Sequence, residues 1–200
     1  IRLMNFTPVS KFSNRKYPIW ELTDINIPEA VYQAIQEGTW NEYNKVNTNS
    51  KYKQPATRFV LGNYNKSITS HLSKDIISFI RNQKDYDLSL VERMHPNIID
   101  KMEHYSWGIQ PVKDIAKYKL GTHTDGQEYI GTAIINLENN KTVTEYYADK
   151  DSKKLIYKGS GIKGTGVLHL NTPFTYHRVR NTTGEDRYIL HCILSNPAFN

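Results

Sequence analysis

From Trp107 to Ser195 the chain is a succession of short segments rich in Val, Ile, Thr and Tyr, broken about every ten residues by clusters of Gly, Asn and Asp. Branched and aromatic side chains suit a pleated, half-buried surface. The segments "IQPVKDIAKYKL", "YIGTAIINL", "TVTEYYAD", "KLIYKG", "GTGVLHLN", "TYHRVRNT" and "RYILHCILS" therefore read as strands. Turn-forming residues fill the gaps at "ENN", "DKDS", "GSGIKG", "NTPF" and "TTGED". No helix-length segment interrupts the series, which argues for an antiparallel sandwich or jelly-roll barrel.

The first half is patterned differently. "NIPEAVYQAIQEG" places Ile27, Val31 and Ile35 at helical spacing, with Pro28 near the first turn and Gly38 as a stop. "SITSHLSKDIISFIRNQ" repeats Ile68, Leu72, Ile76 and Ile80 every four residues, and Ser67 or Ser70 is placed to cap it. "NIIDKMEHYSW" is a weaker third helix. Between the first two helices, Thr39 to Ala56 is polar, aperiodic and too long for an ordinary connection, which predicts a mobile flap over Thr39 to Lys53 with Trp40, Tyr43 and Tyr52 as substrate contacts. The expected fold class is mostly β with flanking N-terminal helices (α+β) around a double-stranded β-helix, or jelly-roll, core. A helical half over about 1–106 and a core over about 107–196 would make one domain across 1–200.

That size suits one hydrophobic core, since 200 residues at 38% hydrophobic content are too few for two ordinary domains. The single cysteine, Cys192, excludes an internal disulfide framework. No window approaches the roughly 18 apolar residues of a membrane helix, and the start "IRLMNFTPVSKF" lacks an apolar signal core, so a cytoplasmic, non-membrane protein is expected. The net charge of +6 raises the question of a nucleic-acid partner, but the lysines are scattered and form no dense run. A basic, soluble surface is the simpler reading, and nucleic acid is not expected as a partner.

The strands carry the chemistry. In "GTHTDGQEYIG", His123 and Asp125 lie two apart just before an apolar strand, so an extended chain points both to one side. "TPFTYHRVRN" supplies His177 from a distant strand. Two imidazoles and one carboxylate are the facial triad that binds non-haem Fe(II) and leaves coordination positions open. An HxD triplet alone is weak, because a lone histidine is more often structural than ligating. Arg187 adds a fourth element: it lies ten residues after His177, beyond the "TTGED" turn, and a hairpin of that length returns it to the neighbourhood of His177. A buried guanidinium there needs a carboxylate, and its fork suits one bidentately.

His123, Asp125, His177 and Arg187, in that order, resemble the Fe(II)/2-oxoglutarate-dependent dioxygenases over about Tyr118 to Ser195. The pattern is most similar to the prolyl-4-hydroxylase-like branch, with Tyr118 and Gly121 before HxD, "TAIINL" after it, and "HRVRNTTGEDRYIL" carrying Val179, Gly184 and Arg187. "NNKTVTEYY" departs from the branch after the strand that follows HxD, and Tyr118 lies closer to His123 than usual. These departures bear on the substrate and leave the cofactor assignment unchanged. The resemblance implies that His123, Asp125 and His177 are the catalytic and metal-binding residues and that the cofactors are Fe(II), the cosubstrate 2-oxoglutarate and O2. It assigns Arg187 to the far carboxylate of 2-oxoglutarate and gives Tyr118 a hydroxyl contact. The implied reaction hydroxylates a C–H bond of a small-molecule, amino-acid-like or peptidyl substrate and releases succinate and CO2.

Two alternatives stay open: a nucleic-acid dealkylase of the same superfamily, and a cupin-like binding module without oxygenase activity. Dealkylases of that type carry a second arginine six residues after the first, where this chain has Ile193. His191 shares a strand face with Arg187 and either lines the pocket or bonds to backbone in the core, and His169 reads as a core histidine of the same kind. His71, His95 and His104 fall in the helical half with surface or packing roles, and Arg178 and Arg180 point away from the iron side or to its rim.

Overall fold

A computed structural model describes residues 4–9, 17–48, 53–83, 88–101 and 107–195. Its strands, numbered in chain order, are β1 (Asn5–Pro8), β2 (Ile19–Thr23), β3 (Trp40–Glu42), β4 (Arg58–Leu61), β5 (Trp107–Asp114) and β6 (Lys119–His123), then β7 (Tyr129–Asn136), β8 (Thr144–Tyr147), β9 (Leu155–Lys158), β10 (Gly166–Leu170), β11 (Tyr176–Arg180) and β12 (Arg187–Ser195). They form two antiparallel sheets. The larger runs β1-β2-β10-β7-β12-β5-β4-β3 and the smaller β6-β11-β8-β9, the jelly-roll arrangement expected from the strand-and-turn texture.

The central strand β7 shows why the sheet forms there. Its run "YIGTAIIN" is buried from the second residue on, because both of its faces are covered. Ile130, Ala133 and Ile135 join the core under the helices, whereas Ile134 joins a second core between the sheets. β12 splits the same way: Leu190, Cys192 and Leu194 enter the helix-side core, and Arg187, His191 and Ile193 line a cleft between the sheets. Period-two alternation thus sends apolar residues to one face and chemistry to the other.

All the helices but the second pack outside the larger sheet, and the second turns Tyr43 into the core between the sheets. The helices are α1 (Glu29–Glu37), α2 (Tyr43–Val46), α3 (Ser70–Arg81), α4 (Ser89–Met94) and α5 (Ile98–Lys101). In α3, Leu72, Ile76 and Ile80 are fully buried at the predicted four-residue spacing and contact the same core as Trp20, Leu168 and Leu190. Each contributes about 1.5–3 kcal/mol by leaving water, and truncating Ile76 to Ala costs about 2–5 kcal/mol.

Four differences from the sequence reading bear on the site. The first half is not only helical: β1 and β2 extend one edge of the large sheet beyond β10, and β3 and β4 extend the other beyond β5. "IQPVKDIAKYKL" is two strands, because the chain leaves the large sheet after Asp114, turns with Lys117 in the left-handed region (φ 75°), and enters the small sheet as β6. Residues 39–48 of the segment expected to be an aperiodic flap are built from β3, paired to β4, and the single turn of α2, and the Asn44 side-chain amide donates to the Gln54 carbonyl and accepts from the Gln54 backbone N–H. Of its proposed contacts, Tyr43 lines the cleft and Trp40 packs edge-on against Tyr188, while Tyr52 lies outside the described residues, as does His104. The helix α4 carried no periodic signal long enough to read.

Candidate metal centre and anion pocket

His123 and His177 meet because β6 and β11 are antiparallel neighbours with those two residues directly opposite. Asp125 sits just past the end of β6, in a loop fixed by the fully buried Asn171, whose amide donates to the carbonyls of Asp125, Gly126 and Tyr129. Asp125 Oδ1 is then 3.7 Å from His123 Nε2 and 3.5 Å from His177 Nε2. Among the described residues these three are the one group of His, Cys, Asp and Glu side chains whose ligand atoms converge, all within 4.8 Å of one another.

The donor set fits a divalent ion of the first transition row. His123 Nδ1 faces the carbonyl of Gly121 at 2.7 Å and His177 Nδ1 that of Thr175 at 3.1 Å. A carbonyl accepts only, so each Nδ1 carries its hydrogen and each Nε2 lone pair is directed at the shared space, the usual support of a ligating histidine. With metal–ligand bonds of roughly 2.1 Å, adjacent ligand atoms sit about 3 Å apart, so the two Asp125–imidazole separations of 3.5 and 3.7 Å need to close by about 0.5 and 0.7 Å.

Charge is arranged to match. Burial would raise the Asp125 carboxyl, but the His177 charge and hydrogen bonds from His169 and His177 hold it well below the usual carboxylate range. Burial works against a charged His177, yet Asp125 outweighs it and the imidazole titrates above its ordinary value. His123, desolvated and beside His177, moves down. Without a metal the cluster favours a proton on His177, and an ion must displace it.

The same cleft holds a second feature at Arg187. Across β4, β5 and β12, Arg58, Asp114 and Arg187 occupy one row of the sheet, with Asp114 opposite both arginines. All three are nearly inaccessible. Arg58 grips Asp114 bidentately, Nε to Oδ1 at 2.7 Å and one terminal nitrogen to Oδ2 at 2.9 Å. Arg187 reaches the same Oδ2 at 3.0 Å and Thr144 Oγ1 at 3.0 Å, and its Nε is buried without a partner. One carboxylate thus serves two guanidiniums. Burial and the neighbouring Arg58 shift Arg187 downward despite Asp114, whereas Arg58, with the better half of the carboxylate, shifts upward against its own burial. Arginine does not deprotonate in proteins, so Arg187 stays charged in a buried site where it shares its one carboxylate with Arg58.

Tyr118, fully buried, stands beside this row. Its ring lies under the Arg58 guanidinium at 4.6 Å and its hydroxyl donates to Gln54 Oε1 at 3.1 Å, with burial pushing the phenol up to about 12. Tyr118, Arg58 and Arg187 line the cleft together with His123, Asp125 and His177. His191 also lines it; this histidine, for which backbone bonding was one of two readings, has a buried Nδ1 with no partner, and burial followed by the Arg58 charge drives it down to about 3, so it is neutral.

His169 differs from its sequence reading as well: its ring nitrogens bond to the side chains of Asp125 and Tyr146, not to backbone. Arg178 donates from Nε to Glu145 at 2.8 Å and its guanidinium covers the Tyr147 ring at 4.5 Å, whereas Arg180 is exposed. In the helical half His71 meets the carbonyl of Asn26 at 3.0 Å and His95 is buried. Arg58 is a cleft residue that sequence reasoning missed. Its strand is four residues long, and only the pairing of β4 with β5 brings it to Asp114.

No protein-family model matches the sequence, and no curated protein matches it. Solved structures do. A prolyl hydroxylase from Trichoplax adhaerens, in complex with a hypoxia inducible factor oxygen degradation domain peptide fragment, superposes with a TM-score of 0.60 at 12% identity, covering 95% of this chain and 88% of its own. A Pseudomonas putida prolyl-4-hydroxylase gives 0.57 at 8% identity over 90% and 94% of the two chains. An oxidoreductase of the 2OG-Fe(II) oxygenase family from Burkholderia pseudomallei gives 0.51 at 12% over 98% and 93%. The chain therefore has the fold of the 2OG-Fe(II) oxygenases, and within that fold it is similar to the prolyl hydroxylases.

Proposed function

We propose that this chain is an Fe(II)- and 2-oxoglutarate-dependent dioxygenase that hydroxylates a C–H bond of a peptidyl or amino-acid-like substrate, releasing succinate and CO2. One observation carries the reading: a single cleft contains both a two-histidine, one-carboxylate cluster and, deeper in the fold, two buried arginines that share one carboxylate. A metal alone explains the first feature and leaves the second unbalanced. A dicarboxylate that chelates an ion at one end and presents a free carboxylate at the other fits both.

His123, Asp125 and His177 would hold Fe(II), and the bound iron with 2-oxoglutarate and O2 supplies the oxidising chemistry. The protein positions the reactants. Arg187, with its unpartnered Nε, and Arg58 beside it fix the far carboxylate and so the direction of the cosubstrate along the cleft. Tyr118 adds a hydroxyl at the same end and excludes water by its bulk. The neutral His191, between Arg187 and Ile193 on the cleft face of β12, offers a hydrogen-bonding nitrogen without another charge. The peptide complex of the Trichoplax prolyl hydroxylase supports the peptidyl substrate class. The dealkylase alternative is disfavoured by Ile193, an apolar residue of the cleft wall where that reading requires an arginine.

Anaerobic titration with Fe(II) and then 2-oxoglutarate tests the proposal. A weak visible charge-transfer band that appears only with both, and saturates at one equivalent of each, is expected. Its absence with metal demonstrably bound would rule out the chelate.

A further inference from the structure

The two oxygens of Asp125 have different surroundings. Oδ1 faces the two imidazoles of the cluster. Oδ2 is turned away from them and accepts hydrogen bonds from His169 Nε2 at 2.8 Å and Thr132 Oγ1 at 3.2 Å. His169 lies on β10 in the large sheet, only 1% exposed, among Val167, Leu168 and Leu170. An imidazole in such a strand is costly unless both nitrogens are satisfied. Both are, because Nδ1 lies 2.8 Å from the hydroxyl of Tyr146, itself fully buried.

The bonds have one direction. A carboxylate only accepts, so Nε2 carries the hydrogen; Nδ1 is then the acceptor and Tyr146 O–H the donor. Tyr146 belongs to β8 in the small sheet, opposite His177 in the β8–β11 ladder. The chain Tyr146 to His169 to Asp125 thus crosses from one sheet to the other, beginning beside one proposed ligand and ending on another. His169 is not itself available to an ion, since its Nε2 hydrogen is committed to Oδ2.

We propose that His169, oriented by Tyr146, is a positioning residue that holds Asp125 as a one-oxygen ligand. The inference rests on the metal reading of the cluster. Rotation about the terminal torsion of an aspartate is soft, so without the His169 bond Oδ2 can turn to the ion and chelate it together with Oδ1. That would occupy one of the positions a facial triad leaves open for reactants. Thr132 alone, at the longer distance, does not hold the group as firmly.

Two amide variants separate positioning from packing. Gln at 169 places its N–H near the position of Nε2 and reaches Asp125; Asn places its amide near Nδ1, keeps Tyr146 within reach and falls short of Asp125. Proton relaxation enhancement with Mn(II) on the full chain returns both metal affinity and the number of exchangeable waters on the bound ion. For His169→Asn the water count per bound Mn(II) should fall by about a third, one of three open positions having been taken. His169→Gln keeps the Asp125 bond and, like Tyr146→Phe, loses only the one to Tyr146, so its count should fall less than that of His169→Asn. Tyr146→Phe removes one oxygen, keeps the ring, and should show a smaller fall. Thermal denaturation without metal reports any merely structural cost, which should be alike for the two amides. Equal counts for folded Asn and Gln variants would overturn the proposal; if either fails to fold, a wild-type count in Tyr146→Phe would do so. His123→Ala distinguishes the underlying reading: if it binds Mn(II) as the wild type does, the triad assignment fails, whereas loss there with unchanged counts at 169 refutes only the role of His169.

Discussion

Replacing Arg187 with Gln should weaken 2-oxoglutarate binding strongly while leaving metal binding nearly intact. The row Arg58, Asp114, Arg187 carries two positive charges and one negative, all buried, so its net charge is +1 by direct count. Arg187→Gln brings it to zero and removes a guanidinium whose buried Nε–H has no partner. Truncating one member of a buried, hydrogen-bonded charge pair costs about 2–5 kcal/mol. At 1.4 kcal/mol per decade, affinity should drop about thirtyfold to several thousandfold. Arg187→Lys should fall between, keeping charge and losing the fork. Arg58→Gln removes the same charge but also takes two bonds from Asp114, at 2.7 and 2.9 Å, so it should lower stability as well as affinity. Asp114→Asn has the opposite signature: two buried guanidiniums lose their anion, the apoprotein weakens by about 3–5 kcal/mol, and the thermal shift produced by 2-oxoglutarate grows. The charge-transfer band of the Fe(II) chelate under anaerobic conditions gives the dissociation constants, and calorimetry gives the stabilities. Glutamine variants at 58 and 187 that both bind 2-oxoglutarate as the unaltered protein does would refute the charge argument.

Alanine at His123, Asp125 or His177 should abolish stoichiometric Fe(II) binding and turnover, whereas Mn(II), Co(II) and Ni(II) should occupy the unaltered site without activity; isothermal titration and a succinate assay check both. Metal affinity should fall as pH drops through the raised value of His177, because below it the imidazole is protonated against Asp125 and the ion must displace that proton, while above it the lone pair is free; unchanged affinity from pH 8 to below the ordinary histidine value of 6.5 would contradict this. Gly161→Ala should destabilise by about 1–3 kcal/mol, since Gly161 has φ +72° and an added Cβ would lie 2.1 Å from the Asn140 carbonyl oxygen; an unaltered Tm would refute it. Nucleic acid should bind weakly and without sequence preference, and submicromolar affinity at physiological salt would reverse the ranking of substrates.

The parts of this fold that were legible in the sequence are those in which one strand or helix reports its own environment. The apolar run of β7, the four-residue repeat of α3 and the turn clusters after Asn136 each carry a local period or a local breaker, and each stands where the spacing predicts. His123, Asp125 and His177 were legible for a related reason: a two-residue spacing fixes a common side, and a strand pairing brings in the third. What escaped depends on pairings that no window of sequence contains. Arg58 sits on a four-residue strand whose only distinction is that β5 lies next to it, and His169 looks like any core histidine until β10 is laid against the loop that carries Asp125. Lys117 hides the change of sheet because lysine gives no sign of a left-handed turn. Arg58 and His169 have a common character. Each satisfies a buried polar group on a strand or loop distant in sequence, so its identity is dictated by a partner's charge and not by its own segment's periodicity. A buried Asp or Arg inferred from sequence should therefore be read as a demand for a second, unseen partner: Asp114 leads to Arg58, Asp125 leads to His169, and the charge that Asp114 leaves unbalanced on Arg187 leads to the ligand.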